Sequence, residues 1–211
     1  MIYLINSKII MNREENLKLE FNNFLISKFK LDNIDYYSLL STNDFIDLKS
    51  FVSNVNNIVT MKLTLNFIET LTEIFHFSEL DKSNTIQNVQ SVNPNTNGFD
   101  IEIETPVKII AEIKGYVPIN DGETFGSAQK TAIKKDFNSL KNGKSKSFAN
   151  TNDYYKFFVL PDFEKTKVAT ISFLKTLKSN SEYKNYSFEF LSEAKGKLNK
   201  SSIYIVFVNV T

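Results

Sequence analysis

The chain has 211 residues, a formal net charge of +1, a single histidine and no cysteine. Without cysteine there can be no disulfide, cysteine-ligated zinc, iron–sulfur cluster or cysteine nucleophile, and one histidine excludes a multi-histidine metal centre. Carboxylates, lysines, hydroxyls and amides remain as functional side chains, and the near-zero total charge gives no sign of a nucleic-acid partner.

The first third of the chain carries apolar residues at the three- and four-residue spacing of amphipathic helices. The spacing predicts helices over 14–29, from a cap at Asn43 or Asp44 to about 55, and over about 60–77. The polar stretch 78–97, rich in Asn, Ser and Thr, predicts a loop. No apolar run approaches the roughly 20 residues that span a bilayer, so we expect no membrane partner.

From Phe99 onward the pattern changes to strict alternation, which is typical of half-buried strands. Strands are predicted over 99–104 and 107–115, separated by a turn at Pro106. The rest of the chain predicts, in order, helix 127–141, strand 155–160, helix 165–178, and strands 187–191 and 202–209.

Helices followed by β-β-α-β-α-β-β predict a mixed α+β fold of the α/β type, with a central mixed β-sheet flanked by helices. The length favours a single domain over residues 1–211, mainly helical in 1–80 and sheet-containing in 98–211.

The charge is unevenly distributed along the chain. Residues 1–105 hold eight basic and fourteen acidic residues, a balance of −6, whereas residues 106–211 hold seventeen and ten, a balance of +7. The basic excess is densest in one cluster of lysines: Lys130, Lys134, Lys135, Lys141, Lys144 and Lys146. Such a cluster is typical of a solvated helix face, but it also fits a phosphate-binding stripe.

Asp100, Glu112 and Lys114 form the constellation that could carry chemistry. Glu112 and Lys114 are two residues apart on one strand and therefore project from the same face. A hairpin centred on Pro106 places Asp100 opposite Glu112, with Cβ atoms about 5 Å apart. Two carboxylates that close repel each other unless a cation lies between them, and oxygen ligands suit Mg²⁺.

An acid and a lysine on a strand are also common on the wet face of an ordinary hairpin. Three features favour chemistry here. Apart from Glu112 and Lys114, the second strand is apolar at nearly every remaining position, which indicates burial on both faces. Gly98 and Asp100 lie upstream at the right distance, and a lysine-rich helix follows.

At these residues the sequence resembles the PD-(D/E)XK nuclease superfamily, in particular its type II restriction endonucleases. The resemblance rests on Gly98-Phe99-Asp100, on Ala111-Glu112-Ile113-Lys114-Gly115 and on the helix from Gly126 to Leu140, and it covers roughly residues 60–175. Phe99 stands where the motif's name has proline. The resemblance implies an α-β-β-β-α-β core with additional N-terminal helices.

The resemblance also implies roles for individual residues. Asp100 and Glu112 would hold Mg²⁺, with Mn²⁺ as a substitute, and Lys114 would be the catalytic lysine. The main-chain carbonyl of Ile113 would be a further ligand. Many members add a glutamate from the preceding helix, for which the candidates are Glu73 and Glu69, although both also fit a solvated helix face. Gln129 would lie near the site, or would serve as an amide at a helix start.

The implied function is Mg²⁺-dependent hydrolysis of double-stranded DNA by a cytoplasmic, homodimeric restriction enzyme accompanied by a DNA methyltransferase. The lysine cluster would contact DNA phosphates, and base contacts would come from loops at 117–126, 142–153 and 192–201. The alternatives are a repair nuclease, resolvase or exonuclease of the same superfamily, a non-catalytic DNA-binding module with this fold, and a structural protein with a solvated acidic hairpin.

Overall fold

The structure is a computed structural model that describes residues 12–91, 98–118, 122–145, 147, 149–194 and 197–210. Contacts divide the chain into two compact units, Met1–Asn54 and Val55–Thr211. The mainly helical first part and the sheet-containing second part follow the predicted order. The prediction that residues 1–211 form a single domain is not tested by this division into two units.

The first unit is built from helix α1 (Arg13–Phe29), the short helix α2 (Tyr36–Leu39) and the start of helix α3 (Thr42–Phe75). Asn12 caps α1 in a reciprocal arrangement with Glu15, which satisfies two backbone amides at the helix start. The rings of Phe21 and Phe45 lie 5.2 Å apart and join α1 to α3 within this unit.

Helix α3 is a single helix of 34 residues, so the prediction of two helices, one ending at about 55 and the next beginning at about 60, was wrong. No glycine or proline lies between Val55 and Thr60, and asparagines alone do not end a helix. Its start is capped by Ser41, which exchanges hydrogen bonds with Asp44. Among the described residues, neither α3 nor any other helix is both long and apolar enough to cross a membrane.

Helix α4 (Glu79–Ser91) occupies most of the stretch that was predicted as a loop. The polar composition concealed a start signal, because Ser78 and Asp81 cap each other across the first turn. Proline first occurs at position 94, beyond the end of the helix. The remainder of the predicted loop, residues 92–97, lies outside the described residues.

Five strands form one mixed sheet in the order β1-β2-β3-β5-β4. Their bounds are β1 (Ile101–Ile103), β2 (Ile109–Ile113), β3 (Tyr155–Pro161), β4 (Ser187–Phe190) and β5 (Ser202–Val208). Only β1 and β2 are antiparallel; the other neighbours run parallel. The pairing of Ile101 with Ala111 and of Ile103 with Ile109 confirms the hairpin register centred on Pro106.

Apolar side chains cover both faces of this sheet. On one face, Leu63, Phe67 and Leu71 of α3 pack against Ile113 and its neighbours. On the other face lie helix α5 (Ser127–Asn142) and helix α6 (Glu164–Lys178), whose apolar sides share a core with Ile110 and Phe158. All five residues of β2 are buried, as the near-continuous apolar pattern predicted.

The predicted mixed α/β architecture and the order β-β-α-β-α-β-β are confirmed. The described residues differ from an α-β-β-β-α-β core in one respect, since two strands rather than three precede α5.

Lys156 is a buried lysine on the face of the sheet that α5 and α6 cover. The residue is 1 % exposed, and its ammonium donates to the carbonyl oxygens of Tyr154, at 3.2 Å, and Lys200. Burial, with a smaller contribution from Lys141 and Lys200, lowers the pKa of Lys156 to about 8. A lysine in the unfolded chain has a pKa near 10.4, so between these values the unfolded chain binds more protons.

We therefore expect the contribution of Lys156 to destabilise the fold below pH 8 and to fade as the pH rises towards 10. As the pH rises from 8 towards 10, the free energy of unfolding of the wild type should increase relative to that of Lys156→Met, by up to about 1 kcal/mol per pH unit. Urea titrations followed by circular dichroism suit a chain without tryptophan. Parallel pH profiles for the two proteins would contradict a lowered pKa.

Candidate active site

Lys114 lies at the carboxyl end of β2, an interior strand of the sheet, where its side chain meets two carboxylates. Its Nζ is 3.1 Å from Glu112 Oε2 and 3.4 Å from Asp100 Oδ2. The backbone amide of Lys114 donates to the carbonyl of Val159, which continues the parallel pairing with β3 and fixes the position of the residue. The three residues singled out in the sequence therefore come together around one ammonium.

Asp100 precedes β1 and is held by the neighbouring strand. Its Oδ2 accepts a hydrogen bond of 2.7 Å from the backbone amide of Ile113. A carboxylate bonded to a backbone N–H is a charge-assisted pair, which fixes the rotamer as well as the position. Its side chain is 32 % exposed, so one side of the site is open to solvent.

Glu112 is the most deeply buried charged group of the site, with its side chain 1 % exposed. Lys114 contacts its Oε2, and Lys144 forms an ion pair with its Oε1 although the contact lacks hydrogen-bond geometry. Burial raises the pKa of Glu112; Lys114 and Lys144 oppose this rise and Asp100 adds to it, with a net shift upward.

Asp136 of α5 is a third carboxylate that sequence reasoning did not place in the site. Its Oδ1 lies 3.8 Å from Lys114 Nζ, while its buried Oδ2 has no hydrogen-bond partner in the described part of the chain. A signal existed in the sequence, because Asp136 is three residues after Ile133 and four before Leu140. It therefore shares the buried stripe of α5 with both of them.

The charges of the site act on one another through a partly desolvated environment. Burial raises the pKa of Asp136 to about 7, opposed by Lys114 and reinforced by Glu112 and Asp100. Burial alone would lower the pKa of Lys114, but the three carboxylates raise it by more, so Lys114 stays an ammonium. Perturbed pKa values of this kind are concentrated at functional sites in proteins.

Lys144 reaches the site from the segment after α5. Besides its ion pair with Glu112, its Nζ donates to the carbonyl of Gly98 at 2.7 Å and lies 5.1 Å from the centre of the Phe99 ring. It is separated from the lysines of α5 by Gly143, whose φ of 92° favours glycine. Whether Lys144 also contacts a DNA phosphate stays a prediction.

The donor set suits a hard divalent cation, because Asp100 and Glu112 are oxygen ligands that already share a cationic partner. They form a pair and not a triad: within the described residues, no group of three or more acidic or histidine side chains is arranged to hold a metal ion. A metal here would be held by these two carboxylates together with backbone oxygen or water, and the carbonyl of Ile113 remains a predicted ligand.

A groove of about 690 Å³ gives access to Asp100 along the edge of the sheet. It runs between α4 and edge strand β1, and its lining includes Asn84 and Asn88 on one side and Glu102 and Glu104 on the other. Glu104 also accepts a hydrogen bond from the Tyr154 hydroxyl. Glu102 of β1 and Glu104, which follows the strand, thus lie at the groove margin, outside the contacts of Lys114.

The accessory residues lie as follows. Glu69 is exposed and pairs with Lys82 of α4 at 2.6 Å, and Glu73 is exposed on the same helix. Gln129 takes the role of a helix-start amide: it accepts from the amide of Gly126 and donates to the carbonyl of Val117, each at 3.0 Å. Whether Glu69 or Glu73 adds a ligand stays a prediction.

The remaining lysines of the cluster lie along α5. Lys134 and Lys135 line an open groove of about 750 Å³ next to Tyr186, and Lys130 and Lys134 line a smaller one against α6. The ammonium of Lys141 lies over the Tyr186 ring at 5.9 Å. Lys146 lies outside the described residues.

Comparisons with protein-family models, with curated proteins and with solved structures find no match for this chain. Any functional assignment therefore depends on the geometry of the site itself.

The site holds three carboxylates and two ammoniums, so removing a positive charge and removing a negative charge should affect the stability of the fold differently. Lys114→Met leaves buried carboxylates facing each other and should lower the free energy of unfolding by about 3 kcal/mol. Asp136→Asn removes the surplus negative charge at nearly constant volume and should leave stability unchanged or raise it. Urea unfolding followed by circular dichroism measures both, and equal losses in the two variants would contradict this charge balance.

Proposed function

We propose that the chain is a Mg²⁺-dependent nuclease that hydrolyses phosphodiester bonds of double-stranded DNA, acting as a cytoplasmic type II restriction enzyme. One observation carries the proposal. Asp100 and Glu112 converge on Lys114 at the end of a strand that is otherwise apolar and buried on both faces.

A purely structural reason for this arrangement is hard to find. Buried ion pairs cost desolvation energy, and apolar residues of similar volume commonly stabilise a fold as well or better. Glu112 is 1 % exposed and Asp136 keeps a buried oxygen without a hydrogen-bond partner in the described residues. Charges retained at such a cost are typical of a site that uses them in chemistry.

Each side chain has a role in the proposed hydrolysis. Asp100 and Glu112 would hold the divalent cation, which supplies Lewis acidity and lowers the pKa of a bound water. Lys114 is held as an ammonium by the surrounding carboxylates and would stabilise the negative charge that develops on the scissile phosphate. Asp136 of α5 lies 3.8 Å from Lys114 Nζ and would keep that ammonium oriented towards the reacting group.

The partners follow from the reaction. One chain carries one such site and cuts one strand, so a double-strand break calls for a homodimer. A restriction enzyme also requires a companion DNA methyltransferase to protect the cell's own DNA. Lys130, Lys134, Lys135 and Lys141 would contact DNA phosphates from α5, which positions the duplex without reading its sequence.

The direct test is incubation of the purified protein with plasmid DNA and Mg²⁺. We expect discrete fragments from the wild type, and a loss of about 100-fold or more in rate for Asp100→Ala, Glu112→Gln and Lys114→Met, because each removes a metal ligand or the charge that stabilises the transition state. Glu164→Gln, an exposed acid of α6, is the matched control and should cut as the wild type does.

The same assay separates the rivals. Fragments with palindromic ends indicate a restriction enzyme, whereas progressive loss from DNA ends indicates an exonuclease. Glu69→Gln and Glu73→Gln slow cutting only if a glutamate of α3 completes the metal site. Absence of cutting across varied DNA substrates, with the protein folded, would contradict the nuclease proposal.

The DNA-binding surface has its own test, in the absence of Mg²⁺. Each phosphate contact contributes about 0.9 to the slope of log K against log salt concentration. We expect Lys134→Gln combined with Lys135→Gln to lower that slope by about 2 in a fluorescence-anisotropy titration. Lys175→Gln with Lys178→Gln, on the exposed end of α6, is the charge-matched control, and an equal effect of both pairs would reject α5 as the binding face.

A further inference from the structure

Lys144 forms an ion pair with the buried carboxylate of Glu112, and this ion pair has no role in the proposed reaction. It comes from the segment after α5 and contacts the Oε1 atom of Glu112, the oxygen that Lys114 leaves free. Its side chain is 20 % exposed, so it lies at the boundary between the buried site and solvent.

We propose that Lys144 is a resident counter-ion that competes with the divalent cation for Glu112, so that metal binding and the contact between Lys144 and Glu112 exclude each other. The inference rests on the proposed metal-dependent function and adds a regulatory contact to the same site.

Charge arithmetic supports the exchange. With its three carboxylates ionised, the site carries three negative charges, from Asp100, Glu112 and Asp136, and one positive charge, from Lys114. One divalent cation neutralises the resulting net charge of −2. Lys144 supplies only half of that charge. If both cations remained, the site would carry a surplus positive charge, with the ion and the ammonium on one carboxylate and about 4 Å apart. At that distance in a partly desolvated site the two positive charges repel each other strongly, because little solvent lies between them to screen them.

The contacts of Lys144 suit a group that can leave. Its Nζ also bonds the carbonyl of Gly98 at 2.7 Å and lies over the Phe99 ring, so the ammonium keeps partners after it leaves Glu112. Lys114 has no such freedom, because its backbone amide is bonded to the carbonyl of Val159 and its ammonium bridges two carboxylates.

The test measures metal binding and not cleavage. Wild type, Lys144→Met and Lys141→Met are titrated with MnCl₂ alone by isothermal calorimetry. We expect Lys144→Met to bind Mn²⁺ at least about 10-fold more tightly than the wild type, since the competing charge is gone. Lys141→Met, whose ammonium lies over Tyr186 and not on a carboxylate, should bind as the wild type does.

A second measurement uses the wild type and does not depend on the variant folding. The rate of acetylation of Lys144, relative to Lys141 and read by mass spectrometry, should rise at least about 3-fold on addition of Mn²⁺, because the ammonium leaves its buried partner.

The outcomes are distinguishable. Equal or weaker Mn²⁺ binding by Lys144→Met, or an unchanged acetylation ratio in wild type that binds Mn²⁺, overturns the competition and leaves the nuclease proposal standing. No Mn²⁺ binding by any of the three proteins, together with no cutting of DNA, overturns the metal site and this inference with it.

Discussion

Glu112 is a carboxylate placed in an apolar sheet, and the local arrangement follows from the need to neutralise it. Its strand is buried on both faces, so water cannot solvate the charge and other side chains must. Lys114 contacts one oxygen and Lys144 the other. Asp100 and Asp136 in turn bind the ammonium of Lys114. The ion pairs of Glu112 and of its partner Lys114 thus connect β2 with the residue before β1, with α5 and with the segment after α5.

The part of the site that could be predicted from sequence is the part that strand geometry determines. Period-two alternation places Glu112 and Lys114 on one face, and the symmetry of the hairpin about Pro106 brings Asp100 opposite. The register of Ile101 with Ala111 agrees with that reasoning. Asp136 and Lys144 depend instead on how α5 rotates against the sheet and how the chain leaves that helix at Gly143. The spacing of Asp136 from Ile133 and Leu140 places it on the buried stripe of α5, but the local sequence does not show that this stripe meets Lys114. Nothing in the local sequence places Lys144.

The errors in the fold have two origins. The strands were correctly predicted because apolar alternation reports burial directly. The polar helix α4 was mispredicted as a loop because its composition concealed a start signal, the reciprocal capping of Ser78 and Asp81. The break predicted in α3 was wrong for another reason, since the chain between Val55 and Thr60 contains no glycine or proline that would end a helix. A polar helix such as α4 gains little from apolar burial and gives a weak periodic signal.

Lys156, on the same sheet face as Lys114, shows how burial shifts the pKa of a lysine whose ammonium is bonded to carbonyl oxygens instead of carboxylates. It lies on β3 opposite Ile110, two residues along β2 from Glu112, and its ammonium is bonded to carbonyl oxygens of Tyr154 and Lys200. Burial lowers its pKa to about 8. Lys114, surrounded by three carboxylates, is shifted in the opposite direction. The pKa values of two lysines on one sheet face are therefore shifted in opposite directions, because acids surround only Lys114. An apolar core would gain nothing from that difference, whereas a site that must present a fixed ammonium to an anionic group depends on it.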